Sequence, residues 1–189
     1  MASPPPPTTP VPADFTPLTG HCDCKAITYT IKAPALVVHC CHCTWCQRES
    51  GSVFALNYQV ESYNFTITSP TKPTLIRTPS PSGDGQIFGR CPSCGIALYT
   101  HYDVNKMRVF VKVGTMDDAS RAKVRPDVHI YTSTKVEWMD LKSEVERGVP
   151  CFEEYYKTKD VWRKESLERV EALKAWVEKG GKVGDWVVE

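Results

Sequence analysis

Residues 39–46, HCCHCTWC, place four cysteines and two histidines in eight positions. That density constrains the fold more than any other stretch of the chain. The chain holds nine cysteines and opens without a basic, apolar leader, so the thiols are expected to stay reduced rather than to form a disulfide framework. Odd parity and pairs too tightly spaced to bridge without strain argue the same way. Metal is then the leading use for them. The candidate ligands fall in three groups: Cys22-Asp-Cys24, Cys41-His-Cys43 with Cys46 three residues on, and Cys91-Pro-Ser-Cys94-Gly. A tetrahedral thiolate site needs sulfurs about 2.3 Å from the ion, and two closely spaced cysteines in one turn supply half of it. Cys91 and Cys94 are such a half-site, with Pro92 stiffening the turn and Gly95 letting the backbone curl.

Two partners compete for that half-site, Cys22 with Cys24 or the Cys41 cluster. If Cys22, Cys24, Cys91 and Cys94 close one structural site, Cys41, Cys43 and Cys46 remain as three ligands with a vacancy, the mark of a catalytic zinc. The rival is a closed second site. Cys40 could complete it, but if VVHC runs as a strand then Cys40 and Cys41 point to opposite faces, leaving Cys40 a buried thiol. His39 or His42 could also be the fourth ligand; His42, between two ligand cysteines, reads better as a pocket neighbour. A thioredoxin-type redox pair at Cys43 and Cys46 lacks its βαβ context, and Cys151 reads as a spare thiol.

Short alternating segments, AITYTI (26–31), VFALNY (53–58), FTIT (65–68), IALYT (96–100), MRVFVKV (107–113) and VHIYTS (128–133), read as strands between Gly, Pro, Asn and Ser. No ten-residue helical pattern separates them, so a parallel sheet is not expected. In MRVFVKV, Met107, Val109, Val111 and Val113 share one face and Arg108, Phe110 and Lys112 the other. SPSGDGQ (80–86) is a flexible loop by composition. From Asp160, a candidate N-cap, an amphipathic helix places Val170, Leu173, Trp176 and Val177 on one side and stops at Gly180 and Gly181. The expected organisation is a proline-rich tail (1–17), a mainly β domain of several coiled antiparallel sheets around zinc (18–150), and a helical extension packed on it (151–189).

With 23 basic and 22 acidic residues the chain carries a formal charge of +1, which supplies no broad field for nucleic acid or an anionic membrane. No stretch reaches the roughly 18 apolar residues of a span. A soluble, cytoplasmic protein with a small-molecule substrate is expected.

Gly20-His-Cys22-Asp-Cys24, Cys41-His42-Cys43-x-x-Cys46 with Gly51, Cys91-x-x-Cys94-Gly95, Gly114-Thr-Met-Asp117-Asp118 and His129-Ile130-Tyr131 before Trp138 together resemble the glutathione-dependent formaldehyde-activating enzyme family, which includes centromere protein V. The resemblance spans about residues 18–140. It implies a structural zinc on Cys22, Cys24, Cys91 and Cys94 and a second, labile zinc on Cys41, Cys43 and Cys46, two ions in all. It also implies carbon–sulfur lyase-type chemistry that joins formaldehyde to glutathione as co-substrate. Lys25 stands where the family usually has Gly, Gln47-Arg48 replaces Arg-Lys, and Arg90 replaces an aromatic.

On this reading Cys41, Cys43 and Cys46 carry the chemistry, with His42 and His129 as candidate catalytic helpers and Trp45, Arg48 and Tyr131 as candidate substrate contacts. Tyr99 and Phe54 are further pocket candidates. Spacing alone does not tell zinc from iron at the three-cysteine site. Two other readings stay open: a zinc enzyme acting on a larger carbonyl or thioether substrate, and a zinc-stabilised binding module without catalysis.

Overall fold

A computed structural model describes residues 3–81, 83, 85–102 and 107–182. The fold is mainly β, with two sheets and a C-terminal helix. The smaller sheet has the order β1 (Leu18–His21), β2 (Thr28–Ile31) and β5 (Phe65–Ile67). The larger comprises β3 (Val37–Cys41), β4 (Ala55–Glu61), β6 (Thr74–Thr78), β7 (Gln86–Arg90), β8 (Ala97–His101), β9 (Arg108–Lys112) and β10 (Val128–Ile130), in the order β10-β3-β4-β9-β8-β7-β6. Helices α1 (Thr44–Ser50), α2 (Asp118–Arg121), α3 (Lys142–Glu146) and α4 (Lys164–Glu178) complete it.

The main core forms where the sheets face each other. Ile27, Tyr29, Ile31, Phe65 and Ile67 of the smaller sheet's segments pack with Val60, Leu98, Tyr99, Val109 and Val111 of the larger. The alternation read in MRVFVKV holds at Val109, Val111 and Val113, all within 2% of full burial. Phe110, on the other face, is nonetheless buried, because the Tyr102 ring lies 4.7 Å from it. Two close approaches fix this core: a Cβ on Gly20 would meet the Tyr29 ring, and one on Gly89 the Tyr99 ring, each at 2.2–2.4 Å. Tyr99 is thus a core residue, not a pocket wall.

Among the described residues, the expectation of antiparallel pairing holds for every strand pair but one. β10 runs parallel to β3, with His129 opposite Cys40 and Ile130 opposite Cys41. The long excursion from β4 to β10 supplies the crossover length that parallel pairing requires. The far side of β10 is covered in turn: His129 N–H donates to Pro150, Phe152 N–H to His129 and Tyr131 N–H to Glu154. Residues 150–154 therefore satisfy an edge that would otherwise expose unpaired amides. They also deliver Phe152, Tyr156 and Trp162 to a second core with Leu36, Val37, Cys41, Cys46 and Ile130.

The C-terminal helix begins at Lys164, not after Asp160, which lies in a 3-10 turn (Thr158–Asp160). Trp162 explains the delay: it is buried and its indole N–H donates to the Tyr156 hydroxyl at 2.7 Å, which an earlier helix start would disrupt. Along α4, Leu173 and Trp176 are buried as the stripe predicts, but so are Ser166 and Arg169, while Val170 and Val177 are half-buried. The buried face is rotated to bring Arg169 onto Glu61. The proline-rich segment contributes contacts too: Pro4 accepts the Trp176 indole N–H at 2.9 Å, and Thr9 accepts from Asn64. Among the described residues no helix is long and apolar enough to cross a membrane.

Candidate metal centres and active site

Two hairpin turns, one from each sheet, meet at Cys22, Cys24, Cys91 and Cys94. The β1–β2 connection carries the first pair and the β7–β8 connection the second, and the four sulfurs lie within 4.8 Å of one another. The turns are near copies. Cys22 N–H donates to Ile27 and Cys91 N–H to Ile96, and the residue after each second cysteine is left-handed, Lys25 at φ 59° and Gly95 at φ 75°. This is why glycine suits position 25; Lys25 adopts the same conformation at some steric cost. Cys22 and Cys24 sulfurs are 3.6 Å apart and Cys24 and Cys91 sulfurs 3.7 Å apart. A disulfide would need about 2.05 Å, whereas sulfurs about 2.3 Å from one tetrahedral ion stand about 3.8 Å apart. The donor set fits a divalent thiophilic ion. Ile27 N–H points at the Cys22 sulfur at 3.3 Å. Burial pushes the Cys22 thiol up to about 12, while backbone amides at Cys24 and Ile96 hold Cys94 down to about 6.

The second group sits where β3 runs into α1. Cys41 ends the strand, Cys43 caps the helix by accepting the Cys46 N–H on its sulfur at 3.4 Å, and Cys46 lies one turn in. The polar stretch after Cys46 continues this seven-residue helix, which is closed by Gly51 at φ 65°. The three sulfurs lie within 4.8 Å of one another, and among the described residues no histidine or carboxylate joins their group. Hydrogen bonds from Cys41 and Cys46 pull the Cys43 thiol strongly down to about 2. Cys41 is pushed far up by those same sulfur contacts and by burial. For Cys46 the Cys41 contact lowers and the Cys43 contact and burial raise, with a net rise to about 12.

Aromatic side chains surround it. Trp45 donates its indole N–H to Gln86 at 2.7 Å. Tyr131 is left-handed at φ 57°, a conformation uncommon for an aromatic residue, and its ring stands 6.2 Å from that of Tyr155. Burial first, then the Cys41 and Cys43 charges, raises Tyr131. Tyr102 is raised further, by burial, by all three cysteines and by a hydrogen bond to Cys46. Tyr102 and Tyr155 carried no sequence signal, since neither lies in a motif and only the tertiary fold brings them near sulfur. Arg48 is exposed on the last turn of α1. Beside it Glu49 binds Lys112 at 3.0 Å and Arg90 at 3.2 Å, and Arg90 also donates to the Gly95 carbonyl at 3.1 Å. Arg90 thus braces α1 against the turn of the first cluster.

The histidines take other places. His39 bonds Gln59 and Tyr156 in the buried interior. His42 is fully buried, with its ring on His129 and Cys40 rather than in the three-sulfur group. Burial, then His129 and Lys135, lowers His42 to about 4; burial also lowers His129, against the raising effect of Glu144. Cys40 and Cys41 do face opposite ways: Cys40 joins the histidines and Cys41 the other thiols.

A mainly β protein with one four-thiol cluster joining two sheets and a three-thiol cluster at a strand-to-helix junction defines a cysteine-rich class of domain whose thiol groups could hold metal ions. The family model for the glutathione-dependent formaldehyde-activating enzyme matches residues 17–134, and the chain belongs to that family. A crystal structure of a Rhodobacter sphaeroides protein is similar at 16% identity, covering 70% of this chain and 98% of that one, with a TM-score of 0.39. No curated protein matches the chain.

Proposed function

We propose that the chain is a zinc-dependent carbon–sulfur lyase-type enzyme resembling S-(hydroxymethyl)glutathione synthase. Cys22, Cys24, Cys91 and Cys94 hold a structural ion, and Cys41, Cys43 and Cys46 hold the catalytic one. The observation that carries this reading is the ligand count: among the described residues, three sulfurs with no histidine or carboxylate in the second group, against four sulfurs in the first, the difference that separates catalytic from structural zinc. Zinc on three thiolates carries net −1 charge and supplies muted Lewis acidity, enough to favour a substrate's thiolate over its thiol.

The chain's own groups do the rest. The thiol sulfur adds to the carbonyl carbon and the thiol proton ends on the carbonyl oxygen; cleavage is the same path reversed. The Tyr102 hydroxyl, whose titration is raised by a hydrogen bond to Cys46, is the proton donor on this reading. Trp45 and Tyr131, half-buried against the core that holds Cys41 and Cys46, serve as walls of the approach on this reading, and the exposed Arg48 would suit a substrate carboxylate. His42 and His129 are too buried to touch substrate directly. A larger, planar carbonyl or thioether substrate is favoured over formaldehyde by one feature: Tyr155, which stands against Tyr131, comes from beyond residue 134, outside the family match.

Cys43→Ala should release one ion per chain, retain the cooperative melting transition and reduce lyase activity to background, read by metal analysis, calorimetry and thiol-adduct formation. If the ion count is unchanged, or Cys43→Ala keeps activity, the open-site reading fails; a wild type that holds both ions without lyase activity leaves only a binding module. Tyr155→Ala should raise KM for a bulky aromatic aldehyde several-fold while leaving formaldehyde unaffected, measured by steady-state kinetics of the two.

A further inference from the structure

Two cysteines stand outside the seven just assigned, Cys40 and Cys151, and the sheet places them on either side of His129. Cys40 is its register partner in β3 and Cys151 its bridge partner in the covering segment, so the three form one row across neighbouring strands. His42 returns to the same place: its Nε2 lies 3.6 Å from the Cys40 sulfur and 2.9 Å from His129 Nδ1. Cys40, His42 and His129 are each at least 95% buried, and their ligand atoms lie within 4.8 Å of one another.

We propose that Cys40, His42 and His129 form a third metal site, for a divalent transition ion of borderline softness such as zinc. The donors suit that class: one thiolate and two imidazoles exclude magnesium and calcium, which take oxygen. The spacing suits it as well. Around a tetrahedral zinc, sulfur and nitrogen stand about 3.5 Å apart and two nitrogens about 3.3 Å apart. The first distance is already met, and the second is met when the two rings open by about 0.4 Å. At present the rings are within 19° of parallel with their nitrogens directed at each other, an arrangement that holds one proton between two lone pairs. The ion takes the place of that proton.

A second observation points to the same use. Glu144 Oε2 stands 3.6 Å from His129 Nε2, the ring nitrogen away from the cluster, and both atoms are buried without a hydrogen-bond partner among the described residues. A ligating histidine ordinarily donates its other N–H to a carboxylate, which fixes its tautomer and raises its basicity. Glu144, brought in by α3, is that carboxylate. The site does not depend on the enzymatic reading of the three-thiol cluster.

The test uses the full chain loaded with cadmium-113, whose resonance moves to higher shielding as sulfur ligands are replaced by nitrogen. Wild type should show three resonances, and Cys40→Ala should lose the most shielded one together with one ion per chain. Should Cys40→Ala fail to fold, His129→Gln must lose the same resonance. Glu144→Gln should weaken that ion's affinity about 10–100-fold. If wild type shows only the two thiolate-rich resonances, or Cys40→Ala keeps every ion, the pair of histidines is a plain buried hydrogen bond and the proposal is wrong. Cys43→Ala moves a different resonance, so failure of the catalytic assignment is told apart from failure here.

Discussion

Cys22→Ala should abolish cooperative folding rather than merely lower the melting temperature. The four-thiol cluster joins hairpin turns from two sheets that share one core but no ladder hydrogen bonds in the strand order. Structural zinc contributes about 10–16 kcal/mol of apparent binding energy in small domains, as much as the whole stability of a typical fold, about 5–15 kcal/mol. Losing one ligand also leaves Cys24, Cys91 and Cys94 as thiols crowded in a site shaped for thiolates. Chelator titration of wild type should give the same loss of near-ultraviolet circular dichroism. A Cys22→Ala protein that melts within a few degrees of wild type would falsify the structural role.

Arg169→Ala should cost about 3–5 kcal/mol in urea unfolding, because it strands a buried carboxylate. Glu61 has no exposed surface and receives Arg169 in bidentate fashion, Nε to Oε1 at 2.7 Å and Nη2 to Oε2 at 2.6 Å, with Asn64 donating at 3.1 Å. Arg169 Nη2 also donates to the Pro34 carbonyl at 2.9 Å. The penalty belongs to the orphaned charge and not to the pair as such. Glu61→Gln with Arg169→Met should therefore regain more than half of the loss, since a matched neutral pair removes the desolvation cost of both ions. Equal loss in single and double variants would mean that packing of α4, and not charge, sets the effect.

The strands with clean alternation were legible because one face of each is core: 107–113, 26–31 and 65–68 contain β9, β2 and β5. β6 and β7 were not. Thr74–Thr78 has no buried residue and Gln86–Arg90 is buried at four consecutive positions, so neither shows a period of two. Helix α1 escaped because seven residues hold no amphipathic repeat and its cap is a cysteine sulfur, not a hydroxyl or carboxylate. The parallel pairing of β10 escaped because strand direction leaves no trace in a three-residue segment.

The sequence by itself determined the donor chemistry: which residues carry sulfur, that they come in closely spaced pairs, and that Gly95 lets the backbone curl after Cys94. Those are local properties, set by spacing and by allowed backbone angles. Only the tertiary structure decided which pairs meet, that Cys40 faces the histidines while Cys41 faces the thiols, and that Tyr102, Tyr155 and Glu144 complete the surroundings. Those groupings arise from sheet register and from a covering segment more than a hundred residues away, and no short-range pattern encodes distances across a folded chain.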